Sequence, residues 1–247
     1  MKKKLMFSIV TATKNPVDIL PTLKSLKNQT FKSYENIIID SSKNNSIKKK
    51  YSKNFNFKYF YNKKLSLYEA LNLGIKKSSG YIIFFLHSDD IFADENVLKN
   101  ISKIFLKKKF DIIYAKIKMT KNNKLIRIWE PGSFKKDKFL NGWHPPHTSL
   151  FIKKKIYMKN GLFNLKYKIA SDYDLMLRFL YFCDYKIYYL NKFILKMKLG
   201  GESTKSYRNI YLSNFEVYKI LKNYNFSFPI ILILKKLLSK LMQLKII

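Results

Sequence analysis

Two adjacent carboxylates, Asp89 and Asp90, stand directly after an uncharged run in YIIFFLHSDDIF, and they raise the first chemical question. The chain carries 49 Lys and Arg against 16 Asp and Glu. Spending two scarce acids side by side costs free energy through their mutual repulsion unless a cation or a strong donor set lies against them. A hard dication such as Mg²⁺ or Mn²⁺ takes oxygen ligands, often one or two carboxylates completed by phosphate oxygens. Such an ion would offset the charge on a departing diphosphate. The structural alternative is that one of the two acids caps the helix expected to begin near Asp94.

Three further stretches hold residues of chemical interest. Asp40 closes the apolar run ENIIID, where it could bond a nucleotide base or ribose, or simply form a turn before SSKNNS. In SDYDLMLRFL, Asp172 and Asp174 sit at an expected helix start, and Ser171 and Asp174 have capping-box spacing. The helix dipole favours acids there, yet one of the two could equally serve as a general base toward an acceptor hydroxyl. Leu175, Met176, Phe179 and Leu180 give that helix an apolar face to hold the acid rigidly. In WHPPHTSLF two prolines fix the backbone around His144 and His147. His147 is a candidate third metal ligand or diphosphate donor, against the plainer reading of a surface histidine.

The elements that must position these groups alternate along the first half. MFSIVTAT, ENIIID, NFKYFY, YIIFFL and FDIIYAKI read as strands. Helical spacing runs from Asp18 to Asn28, through LYEALNLGIKKSSG, and from Asp94 to Lys107. Alternation of this kind predicts an α/β fold with a mostly parallel sheet. Ligands of open α/β sheets bind beyond the carboxyl ends of the strands. Thr11 to Asn15, Asp40 and His87 to Asp90 all fall at such ends. The second half reads as a strand from Lys124 to Trp129, a long polar loop, a strand HTSLFI, and a short helix KKKIYMKN stopped by Gly161. A helix follows from Asp172 to Phe182, then a strand YKIYYL, a helix from Tyr207 to Tyr224, and a last helix opened by Pro229. MKKKLMFSIVTAT mimics a signal peptide but reads better as a first strand. No stretch reaches the roughly 18 to 20 apolar residues of a spanning helix.

Composition narrows the class. The formal net charge is +33 and 47% of residues are hydrophobic, enough for a sizeable core. Only Arg127, Arg178 and Arg208 are arginines; every other one of the 49 basic residues is a lysine. Nucleic-acid readers favour arginine for bidentate contacts, and here lysine is spread along the whole chain with no reader motif. The expectation is therefore no nucleic acid, with attraction to an anionic membrane surface retained. The single cysteine, Cys183, excludes an internal disulfide and a cysteine-built zinc site.

The ordered set SIVTATKNP, TLKSLKNQTFKSYENIIID, SLYEALNLGIKKSSGYIIFFLHSDDIF and GWHPPHTSLFIKKKIYMKNGLFNLKYKIASDYDLMLRFL resembles family-2 glycosyltransferases. It is most similar to bacterial enzymes that build surface polysaccharides. The resemblance runs from about Phe7 to Ser203. It implies the GT-A fold, a Rossmann-like mixed sheet flanked by helices, over residues 1–205. Residues 206–247 would form a C-terminal helical appendage. It implies a nucleotide-sugar donor at Thr11, Ala12, Asp40, Asn72 and Asp89, with a UDP-sugar favoured. Mn²⁺ or Mg²⁺ would sit on Asp90 and His147. Asp172 would be the catalytic base of an inverting transfer. Glu69, Asp174 and Gly201 would lie toward the acceptor, a lipid-linked or oligosaccharide hydroxyl. The implied location is cytoplasmic, at the inner face of the cytoplasmic membrane.

The sequence also departs from that pattern. Asn45 stands where relatives often carry a second Asp after the strand-end one. Lys64 and Ser66 replace a frequent acid and glycine, and His144 occupies a position expected to be apolar. A basic nucleic-acid-binding protein and an inactive GT-A relative are the competing readings. A nucleotidyltransferase ranks lower, because SIVTATKNP lacks the glycines of a phosphate loop. The final apolar stretch Ile230 to Ile247, interspersed with lysines, is expected to lie on a membrane surface.

Overall fold

A computed structural model of the protein describes residues 6–16, 18–107, 109–121, 124–199 and 206–241. Gly201 lies outside the described residues. The strands are β1 (Phe7–Thr13), β2 (Tyr34–Asp40), β3 (Lys58–Tyr61), β4 (Ile82–Phe85), β5 (Ile91–Phe92), β6 (Ile112–Lys121), β7 (Lys124–Trp129), β8 (Phe151–Lys153) and β9 (Ile187–Lys198). The helices are α1 (Leu20–Lys27), α2 (Ser46–Tyr51), α3 (Leu67–Lys77), α4 (Val97–Lys107), α5 (Lys154–Asn160), α6 (Ser171–Met176), α7 (Tyr207–Asn223) and α8 (Pro229–Leu241).

The strands form one sheet in the order β3-β2-β1-β4-β8-β6-β9-β5, with β7 paired to β6. The block β3-β2-β1-β4 is wholly parallel. Both β1 and β4 are buried at every position, as expected of parallel strands covered on both faces. β8 then enters antiparallel to β4 and to β6, while β6 and β9 run parallel. The α/β fold and mostly parallel sheet predicted from the alternation are confirmed, and the β8 insertion makes the sheet mixed.

Helices cover the two faces. On one side Val97, Leu98 and Ile101 of α4 pack with Phe84, Phe92 and Phe151, and the Phe84 and Phe151 rings stack at 3.9 Å. On the other side α3 lies directly over β1: a Cβ on Gly74 would meet Val10 Cγ1 at 2.3 Å, so only glycine permits the approach. Gly80 is equally constrained, because a Cβ there would meet the Phe7 backbone at 2.5 Å. The expected helix from Asp172 to Phe182 begins as α6 and continues as a π-helical turn over Leu177–Tyr181. The C-terminal helices do not stand apart as an appendage. Val217, Ile220 and Leu221 of α7 and Leu232 of α8 are buried in the same apolar cluster as Ile37, Leu71 and Leu175.

Candidate active site

The parallel block brings the carboxyl ends of β1, β2 and β4 to one edge. Thr13 is the register partner of Asp40. Thr11 and Ala12 are buried just before that end. The Thr13 hydroxyl is buried without a hydrogen-bond partner, an open polar group one residue past the pair singled out in the sequence. The loops after β1 and β2 are stitched together: the Asn15 N–H donates to Ser42 Oγ at 2.7 Å, and Asn15 Oδ1 accepts from the Lys43 N–H at 3.0 Å. Asn15 takes a left-handed φ of 47° to do so. Beside them opens a cavity of about 210 Å³ lined by Asn15, Asp18, Ser42, Asn44, Lys50 and Tyr51, among others.

Asp40 is fully buried, and both carboxylate oxygens are engaged. Oδ1 accepts from the Ser42 N–H at 2.8 Å and Oδ2 from the Tyr59 hydroxyl at 2.6 Å. Its first role is therefore the turn that shapes this edge, and any ribose or base contact would share oxygens already in use.

β4 ends into His87-Ser88-Asp89-Asp90. The Thr22 hydroxyl on α1 donates to the carbonyls of Ser88 and Asp90, at 3.0 and 2.8 Å, and fixes the turn. Asp89 is exposed, whereas Asp90 is buried at 1%. Asp90 Oδ1 accepts a long 3.3 Å bond from the Lys198 N–H, and Oδ2 has no partner. Burial, and then the Asp89 carboxylate, push the Asp90 carboxyl well above its ordinary range. A buried oxygen without a donor is costly, and a dication is the group that would satisfy it. These residues fit a metal.

The second half of the site lies across His87. The His87 and His147 rings meet edge to face at 5.9 Å. Burial, and next His147, push the His87 imidazole down to about 3, so it is neutral at physiological pH. His147 Nδ1 lies 3.1 Å from Asp172 Oδ2. Asp172 Oδ1 accepts from the Tyr173 N–H at 2.8 Å and lies 3.3 Å from the Tyr68 hydroxyl, which donates to the Ile169 carbonyl at 2.6 Å. Below the pair, Phe85, Leu150, Tyr157, Phe163 and Leu175 line a small apolar cavity that exposes few polar atoms. His147 Nδ1 faces Asp172, so a cation at His147 would use Nε2, with Asp172 orienting the ring. Among the described residues no cluster of three or more His, Cys, Asp or Glu side chains could hold a metal. A cation on Asp90 would complete its shell with phosphate oxygens and water.

Three other residues named from the sequence have structural duties. Asn72 uses both ends of its amide on Phe163, donating to its carbonyl and accepting from its N–H, both at 2.9 Å. Glu69 closes a capping box with Ser66 at the start of α3. Asp174 is buried between the Arg178 guanidinium at 2.9 Å and the Tyr224 hydroxyl at 3.1 Å. Tyr68 enters the site without a sequence signal, because its partners Ile169 and Asp172 lie 101 and 104 positions along the chain.

Comparison with known proteins gives the family of the fold that carries this edge. A family model described as "Glycosyl transferase family 2" matches residues 8–171. The chain belongs to glycosyl transferase family 2. A PGL/p-HBAD biosynthesis glycosyltransferase of Mycobacterium bovis is 24% identical over 180 residues, covering 70% of this chain and 69% of that protein. An uncharacterized glycosyltransferase of Mycobacterium tuberculosis is 29% identical over 182 residues, covering 72% and 70%. Among solved structures, S. aureus TarS 1-349 in complex with UDP-GlcNAc superposes with a TM-score of 0.67 at 18% identity, covering 87% of this chain and 66% of that one. Against a longer TarS structure the chain spans only 39% of the length. The family match stops one residue before Asp172, and α7 lies beyond it.

Proposed function

We propose that this family-2 glycosyltransferase moves a sugar, with inversion, from a nucleotide sugar to a hydroxyl of a lipid-linked or oligosaccharide acceptor. The carrying observation is the partnerless Oδ2 of buried Asp90 at the carboxyl end of β4, set across His87 from the Asp172–His147 pair. The donor nucleotide lies along the ends of β1, β2 and β4, near Thr11, Ala12, Asp40 and Asp89. The complexes of TarS with UDP and with UDP-GlcNAc support a UDP-sugar. Asp90 would hold Mn²⁺ or Mg²⁺, which when bound would offset the charge of the diphosphate.

Asp172 takes the proton of the acceptor hydroxyl. The hydroxyl oxygen bonds to the anomeric carbon on the face opposite the diphosphate. The carbon–oxygen bond to the diphosphate breaks, and the nucleoside diphosphate leaves with the electron pair. The pairing with His147 and the Tyr173 N–H fixes the carboxylate in one orientation, which general-base catalysis requires.

The membrane surface belongs to the same proposal. On α8, Ile230, Ile231, Leu234 and Leu238 are exposed at 63%, 48%, 54% and 59%, while Lys236 faces inward at 5%. A helix facing water carries the opposite pattern. Lys235 on α8 and Lys219 and Lys222 on α7 are also exposed, and with a net charge of +33 they suit an anionic bilayer. No helix among the described residues is long and apolar enough to cross one. Contact at the inner leaflet would bring the site to a lipid-linked acceptor.

The test is a thermal-shift screen of nucleoside diphosphates and nucleotide sugars with Mn²⁺, Mg²⁺ or chelator. A metal-dependent shift with one nucleotide is expected, and no shift with any of them would overturn the reading. Flotation with phosphatidylglycerol vesicles, for wild type and Leu234→Glu/Leu238→Glu, checks the membrane part. Equal flotation of the two proteins would sink it.

A further inference from the structure

The segment from Asn160 to Asp174 has little regular structure before α6, yet nearly every turn of its backbone is tied to a distant side chain. Arg178 donates to the carbonyls of Asn160, Gly161 and Leu162. Asn72 clamps Phe163. The last three residues before α6 are held by one carboxylate on α7. Glu216 Oε1 accepts from the Lys168 N–H at 2.8 Å, and Oε2 accepts from the Ile169 and Ala170 N–H groups, each at 2.9 Å. The same helix adds two further ties: Asn223 Nδ2 donates to the Tyr167 hydroxyl at 2.9 Å, and the Tyr224 residue that caps its end donates to Asp174 Oδ1 at 3.1 Å. The Tyr68 hydroxyl completes the set by donating to the Ile169 carbonyl.

We infer that Glu216 is a positioning residue for the base: through three backbone N–H bonds it sets where Asp172 stands relative to His147 and the acceptor. The inference rests on the reading of Asp172 as the base. Charge-assisted bonds to a carboxylate are about twice as strong as neutral ones. Three of them on consecutive residues leave that backbone one conformation. Asp172 follows two residues later, and its own carboxylate is fixed by His147 and the Tyr173 N–H. Glu216 is one of only 16 acids in the chain, and its carboxylate serves three N–H donors of the loop that leads to Asp172. α7 lies wholly outside residues 8–171 matched by the family. The base is therefore aimed by a part of the chain other than the part that builds the donor edge.

The test combines kinetics with exchange. The donor probe is UDP-N-acetylglucosamine, replaced by whichever of UDP-glucose, UDP-galactose or GDP-mannose shifts the melting temperature more. Release of the nucleoside diphosphate is measured for wild type, Glu216→Ala, Asp172→Asn and the double variant. Misplacing a catalytic group by about 1 Å costs on the order of 100-fold. Glu216→Ala should lower kcat by roughly 10- to 100-fold with the donor KM little changed. In the Asp172→Asn background it should cost no more than about two-fold, because energies of residues that act through one another do not add.

Glu216→Gln, which keeps one carbonyl oxygen and the side-chain length, should fall between wild type and Ala. It also guards against an Ala variant that fails to fold. Hydrogen exchange at the amides of Lys168, Ile169 and Ala170 should quicken in Glu216→Ala and not in Asp172→Asn, independently of any donor.

Equal losses in the two backgrounds would make Glu216 a merely structural residue and overturn the inference, as would an unchanged kcat in Glu216→Ala. Wild-type turnover in Asp172→Asn would instead remove the base assignment itself, and the positioning role with it.

Discussion

Asn72 offers the sharpest separation between a scaffold role and a donor-binding role. The residue is 8% exposed, and its amide makes two 2.9 Å bonds to one residue, Phe163, across 91 positions of sequence. Asn72→Ala removes both bonds and leaves the Phe163 N–H and carbonyl buried. Each bond contributes about 1 kcal/mol net, and an orphaned buried group costs about 1–3 kcal/mol. Partial relaxation toward water lowers the sum, so a loss of about 2–4 kcal/mol is expected. In a chain of this size 1 kcal/mol moves the melting temperature by about 2–4 °C, which places the drop at roughly 5–15 °C.

The assay is urea denaturation at 15 °C, with nucleotide affinity measured by calorimetry at the same temperature. The midpoint should fall at constant slope, and UDP affinity in the presence of Mn²⁺ should stay within about three-fold. Asn72→Asp should also destabilise at neutral pH, because a carboxylate would face the Phe163 carbonyl without a proton to donate. An unchanged midpoint with UDP affinity reduced ten-fold or more would refute the scaffold reasoning and return Asn72 to the donor site.

Other expectations follow from the same geometry. Asp90→Asn should abolish metal-dependent stabilisation by nucleotide, a gain of about 2.7 kcal/mol at a hundred times Kd in the wild type. In chelator the variant should melt no lower than wild type, since the Asp90 carboxyl is buried with one oxygen unpaired; a clear drop would show that the carboxyl supports the fold. Glu35 is buried in a nest of Ser8, Ser79, Gly80 and Lys58, and although burial opposes it, those donors hold its carboxyl below the ordinary 4.5. Its contribution is fully present above the unfolded value and is lost as pH falls through the folded one. The stability gap between wild type and Glu35→Gln, read from urea midpoints, should therefore narrow from pH 7 toward pH 3. Gly74→Ala should cost about 1–3 kcal/mol by overpacking against Val10. Its cost should shrink in a Val10→Ala background, whereas equal costs would place the strain elsewhere.

What was legible in the sequence was whatever had a local cause. A parallel strand buried on both faces must be a continuous apolar run, so YIIFFL and ENIIID declared themselves, and the acids at their ends stood out against them. α3 and α4 announced themselves through the spacing of their apolar residues. α2 did not, because half of SIKKKY is lysine and its buried residues Ile47 and Tyr51 pack with the distant Ile19, Leu23 and Ile38. β5 is two residues long and exists through its pairing with β9.

The same division explains the site. Asp90 and Asp172 were visible because each is marked within a few residues, by an apolar strand or by a helix start. The sorting of Asp172 from Asp174 was not visible, because it depends on partners far apart in sequence. Asp174 faces Arg178 and a tyrosine 50 residues away, which turns it into a strut. Asp172 faces His147 and the open edge. Identical side chains two positions apart thus acquire opposite fates from residues that no local pattern can supply. Of the distant groups that make this choice, Tyr68 and His147 lie inside the stretch matched by the family, and Tyr224 and Glu216 lie on α7 and its end. Any variant of α7 that keeps its core residues but loses those two polar groups should fold and still bind nucleotide, yet turn over slowly.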